Sequence, residues 1–85
     1  MNKLKYHRKK IDDIDKGIVK LLLLRFGIAK QIASYKKKNN IEVLDKNREL
    51  QIINNIKKRS DKKNQKFVVD IFENIIDYSK KIQSK

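Results

Sequence analysis

The chain has 85 residues, a formal net charge of +13, 39% hydrophobic residues and neither cysteine nor proline. That length allows one domain, spanning residues 1–85. Without cysteine no disulfide framework or thiolate zinc site can form, and the single His7 excludes a multi-histidine metal site. No apolar run approaches a membrane span, and the basic start MNKLKYHRKK leads into no signal-peptide core, so a cytoplasmic protein is expected.

The charge admits two readings. A nucleic-acid or anionic-membrane binder would use it for phosphate contacts. Yet Lys, Ile and Asn are all in excess, and the lysines spread over the whole chain. Only Arg8, Arg25, Arg48 and Arg59 carry the guanidinium suited to bidentate phosphate recognition. A charge run is ordinarily a solvated face. Neither nucleic acid nor membrane is therefore expected as a partner.

Apolar residues recur at helical spacing throughout, which predicts an all-α chain of three helices. The first runs from about Leu4 to about Lys37 on a heptad-like stripe of Leu4, Ile11, Ile14, Ile18, Leu21, Leu22, Ile28, Ala29, Ile32 and Tyr35. Lys37 to Leu44 (KKNNIEVL) reads as a loop. Asp45 is the expected N-cap of a second helix through about Lys58, which turns Ile52, Ile53 and Ile56 inward. Ser60 to Asn64 is a second polar connection, with Ser60 or Asp61 as candidate cap. The third helix spans Gln65 to Gln83 on Phe67, Val68, Ile71, Phe72, Ile75, Ile76 and Ile82.

The first helix is too long for its own chain. About 33 residues at 1.5 Å each make about 50 Å, whereas a compact 85-residue domain is only about 30 Å across. The overhang is apolar along most of its length and needs another chain to cover it. A symmetric dimer is the simplest solution.

Polar groups interrupt all three stripes. Arg8, Arg25 and Lys36 fall on core positions of the first helix. Asp45, Arg48 and Glu49 share the face of Ile52, Ile53 and Ile56, and Ser79 and Gln83 continue the line of Phe72, Ile75 and Ile76. Each alone could be a structural ion pair or a side chain snorkelling to water. Together they leave a deficit, because Asp45 and Glu49 cannot neutralise Arg8, Arg25, Lys36 and Arg48, and burying unpaired cations is costly. The deficit calls for an anionic ligand of about two charges. Arg25 and Lys36 lie about 20° apart around an ideal helix and about 16 Å along it, so their long side chains could bracket one small molecule. Arg8 lies about 25 Å from Arg25 and cannot reach the same ligand from the same chain. It is either unrelated to the site or serves the partner's.

The ordered set Arg8-x-x-Ile11-x-x-Ile14-Asp15, Leu24-Arg25, Lys36, Asp45-x-x-Arg48-Glu49 and Ser79-x-x-x-Gln83 resembles the all-α chorismate mutases of bacterial aromatic amino-acid synthesis. The match covers nearly the whole chain, and only the connection around Ser60 to Lys66 is shorter than the family's. The resemblance implies an intertwined six-helix homodimer with two active sites. Each would convert chorismate to prephenate without cofactor or metal. It further implies that Arg25, Lys36, Arg48, Ser79 and Gln83 line one site and that Arg8 joins from the other chain. Arg8, Arg25, Arg48 and Ser79 would then hold the substrate carboxylates. Glu49 and the Asp45 region would hold its ring hydroxyl, and Lys36 and Gln83 would donate to its ether oxygen as the catalytic pair.

Isochorismate pyruvate lyases share this fold but generally lack the acid after the second-helix arginine and the third-helix serine. Arg48-Glu49 and Ser79 therefore favour the mutase. A basic helical nucleic-acid-binding module rests on net charge alone. No room is evident for a fused regulatory domain, so feedback control is expected to need another protein.

Overall fold

The computed structural model describes residues 2–84, and their regular structure is entirely helical. Helix α1 spans Lys3–Lys38, α2 Lys46–Arg59 and α3 Gln65–Gln83. The expected boundaries agree to within about one residue.

Local chemistry fixes each end. The Asn2 side chain accepts from the amides of Leu4 and Lys5 at 3.0 and 3.3 Å, which satisfies two of the unpaired donors that start a helix. At the other end Asn40 takes a left-handed φ of 55°, and the Ile41 amide reaches back to the Lys36 carbonyl at 2.8 Å. This is the Schellman arrangement, and Asn tolerates the left-handed position better than most residues. Lys36, Lys37 and Lys38 fill the last turn, where positive charge suits the helix dipole. Asp45 caps α2 as expected, its Oδ1 accepting from the Arg48 amide at 3.0 Å.

The cap expected at Ser60 or Asp61 needs correction. Ser60 closes α2 instead, its hydroxyl donating to the Ile56 carbonyl at 2.6 Å. The residue flanking α3 is Asn64, whose side chain makes no capping bond. Asp61 acts one step earlier. Its carboxylate accepts from the Asn64 backbone and side-chain amides at 2.8 and 3.2 Å and shapes the turn that leads into α3.

Helix α3 is the central element, packing against both α1 and α2, while α1 and α2 do not pack on each other. Phe26 of α1 meets Tyr78 of α3 edge to face, with ring centroids 4.7 Å apart. The core is thin. Ala29, Ile76 and Ser79 are the only buried side chains among the described residues.

The molecule measures 59 × 26 × 15 Å with a radius of gyration of 16.4 Å, against about 12 Å for a compact chain of this length. The excess is the first half of α1. Every residue from Asn2 to Leu21 is exposed, including the stripe residues Leu4, Ile11, Ile14, Ile18 and Leu21, which are 50–66% exposed. Phe67 and Ile71, expected to face inward from α3, are also exposed at 69% and 57%. Nothing among the described residues covers them. Ile71 instead lines an open apolar hollow with Ile18, Leu21, Phe26 and Tyr78. No helix among the described residues is long and apolar enough to cross a membrane.

Candidate functional site

Because α3 holds α1 and α2 apart, a cavity of about 250 Å³ opens between the three helices. The second half of α1 contributes Arg25, Ala29 and Lys36. The start of α2 contributes Asp45, Arg48 and Glu49, and the end of α3 contributes Ser79, Lys80 and Gln83. The volume falls below the roughly 300–1,000 Å³ usual for drug-sized ligands, so a small metabolite fits better than a nucleotide cofactor.

A network of hydrogen bonds orients the polar groups. Arg25 Nη1 donates to Ser79 Oγ at 2.9 Å, and that hydroxyl donates onward to the Ile75 carbonyl at 2.9 Å. Lys36 Nζ, from the last turn of α1, donates to the Val43 carbonyl at 3.0 Å and to Gln83 Oε1 at 3.5 Å. With its carbonyl facing Lys36, the Gln83 amide has its N–H groups left to donate. Asp45 lines the cavity but spends Oδ1 on the α2 cap. Glu49 Oε1 pairs with Lys80 Nζ at 3.2 Å, while Glu49 Oε2 is buried without a partner among the described residues.

Seven of the eight residues singled out from sequence therefore line one cavity: Arg25, Lys36, Asp45, Arg48, Glu49, Ser79 and Gln83. Arg8 does not. It lies exposed on the first half of α1, in a separate shallow hollow with Tyr6, Lys9 and Asp12. Two contributors escaped the sequence reading. The Val43 carbonyl left no trace in residue type. Lys80 did leave one, since Ile76, Lys80 and Gln83 stand at i, i+4 and i+7 on one face of α3.

The sequence model of the type II chorismate mutase family matches residues 7–84, nearly the whole chain. The chain belongs to this family. It is also similar to a protein of Methanocaldococcus jannaschii named chorismate mutase, at 34% identity over 87 aligned positions that cover all of this chain and 88% of the relative.

In this type II chorismate mutase chain the cavity lining carries four cations (Arg25, Lys36, Arg48 and Lys80) against two carboxylates, Asp45 and Glu49. No carboxylate among the described residues lies within ion-pair distance of Arg25, Lys36 or Arg48. The consequence is visible at Arg25. Desolvation lowers the pKa of its guanidinium, and repulsion from Arg48 lowers it further. A depressed pKa on a cation means that folding disfavours its charged form, so the empty cavity carries an electrostatic cost at Arg25. No group of three or more His, Cys, Asp or Glu residues able to hold a metal ion occurs among the described residues.

Replacing Arg25 should thus separate stability from binding. Arg25→Met is expected to melt no lower than the parent chain, and to lose the rise in Tm that a bicyclic dicarboxylate confers on the parent. Calorimetry with and without that ligand measures both. A variant that melts well below the parent would make the guanidinium a structural strut instead.

Proposed function

We propose that this chain is a chorismate mutase that rearranges chorismate to prephenate, at a site completed by a second copy of the chain. The observation that carries the reading is the cavity's unspent positive charge. Both carboxylates of the lining are already engaged, Asp45 by the amide that starts α2 and Glu49 by Lys80. Arg25, Arg48 and Lys36 are left lining the cavity without a counter-ion among the described residues, as a dianionic substrate requires.

The reaction is unimolecular. The carbon–oxygen bond of the enolpyruvyl ether breaks while a new carbon–carbon bond forms, and no proton or electron is exchanged with the protein. Catalysis then consists of folding the flexible arm over the ring and stabilising negative charge on the departing ether oxygen. Arg25 and Arg48, with Ser79 steadying Arg25, would hold the two carboxylates in the reactive geometry. The Lys36 ammonium and the Gln83 amide would donate to the ether oxygen, and their mutual contact fixes both before the substrate arrives. Glu49 Oε2, buried and unpartnered, would accept from the ring hydroxyl beside Asp45. This inventory needs neither cofactor nor nucleophile.

The dimer rests on the uncovered half of α1 and on Arg8. Arg8 is seventeen residues from Arg25, about 25 Å along a straight helix, and cannot enter its own chain's cavity. If the exposed stripes of two α1 helices pair about a two-fold axis, Arg8 of each chain would be carried towards the other's cavity. The same reading expects a cytoplasmic enzyme with a small-molecule substrate.

The purified chain should consume chorismate and yield prephenate at a rate unchanged by excess EDTA, followed by loss of chorismate absorbance. Faster release of pyruvate from isochorismate would assign the protein to the lyase branch of the fold.

Sharing of the site is tested by mixing two inactive variants, Arg8→Ala and Lys36→Ala, refolded together so that chains exchange. In a mixed dimer the site with intact Lys36 sits on the Arg8→Ala chain and borrows Arg8 from its partner, so that site is wild type. Random exchange makes about half the dimers mixed, so about a quarter of all sites should recover under two-fold closure. No recovery, with exchange confirmed by mass spectrometry of cross-linked dimers, would rule out Arg8 acting across the interface.

A further inference from the structure

Among the described residues, Lys80 is the one cation of the cavity that already has acidic partners. Its ammonium lies 3.2 Å from Glu49 Oε1 on α2 and 3.8 Å from Asp77 Oδ1 one turn back on α3. The Lys80 and Glu49 side chains are only 37% and 27% exposed, so the pair is screened less than a surface ion pair. Glu49 could otherwise turn to a different cation. It stands next to Arg48 in sequence and lines the same cavity as Arg25 and Lys36, and pairing with any of these would neutralise a group needed for the substrate.

We propose that Lys80 is a positioning residue that acts through Glu49. By holding Oε1 it keeps the carboxylate off Arg25, Arg48 and Lys36, and it presents the unpartnered Oε2 to the hydroxyl of the substrate ring. The proposal rests on the mutase reading above. It also assigns Lys80 a task different from that of the other cations: it binds no substrate anion, and its contribution depends on the substrate having a hydroxyl.

That dependence supplies the test. Steady-state kinetics are measured for the parent, Lys80→Met, Lys80→Arg, Glu49→Gln and the double variant Lys80→Met/Glu49→Gln, on chorismate and on the analogue whose ring hydroxyl is replaced by hydrogen. The hydroxyl's advantage is the ratio of the two kcat/KM values. Lys80→Met should reduce this ratio about tenfold, as expected for losing an oriented hydrogen bond to a charged group, and should leave the deoxy analogue within about twofold of the parent rate. Lys80→Arg should restore most of the ratio, and the double variant should show no loss of ratio beyond that of Glu49→Gln alone.

A fall of equal size on both substrates would overturn the proposal, because a structural strut or a direct clamp on a carboxylate acts whether or not the hydroxyl is present. An unchanged ratio would overturn it too. Should Lys80→Met not fold, the same ratio is read in Lys80→Gln, which keeps a polar side chain at this partly exposed position. A parent chain that leaves chorismate untouched removes the mutase reading and this proposal together. Normal parent turnover with an unaltered ratio removes only the proposal.

Discussion

Repulsion between cations held in one cavity, with too few carboxylates to offset it, is the constraint that organises this protein. Burial and then the charge of Arg48 lower Arg25's preference for the charged state, and the two acids of the lining are engaged by the α2 amide and by Lys80. A fold that keeps such an arrangement gives up stability when empty and recovers it when an anion enters. Sites preorganised in this way bind the charge distribution they lack, and a transition state that gathers charge on an oxygen benefits most. The helices serve this arrangement directly. Helix α3 separates the two others by the width of the cavity, and each helix presents its polar residues on the face that would otherwise be core.

The second constraint is geometric. A 36-residue helix in an 85-residue chain leaves too little protein to cover it, and residues 2–21 stand in solvent with an apolar stripe intact. With only Ala29, Ile76 and Ser79 buried among the described residues, a single chain has a meagre core. The exposed stripe of α1, Ile71 and Phe67 are where further burial is available, and a second copy would supply it. In that assembly stability and catalysis would share a cause, since the pairing that covers the stripe would also deliver Arg8.

Much of this was legible in the residues. Helical periodicity gave the three elements, and the Asp45 cap followed from residue type and position. The polar interruptions of the packing stripes pointed to an anion-binding pocket, and the family resemblance implied that Arg25, Lys36, Arg48, Glu49, Ser79 and Gln83 share it. What escaped has physical reasons. Ser60 and Asp61 are both good capping residues, and composition could not tell that one bonds backward to Ile56 and the other forward to Asn64. Lys80 was hidden by the abundance of lysine, which made one more cation on α3 unremarked despite its register with Ile76 and Gln83. The exposure of Phe67 and Ile71 was hidden because periodicity says which face is apolar, not which chain covers it.

The most direct measurement is a crystal structure with a bicyclic dicarboxylate that mimics the folded transition state. The account predicts two chains per assembly and one analogue in each cavity. Its carboxylates should meet Arg25, Arg48 and the partner's Arg8, with its ether oxygen between Lys36 and Gln83. An analogue bound outside the cavity, or held inside it by one chain with Arg8 left in solvent, would contradict the account.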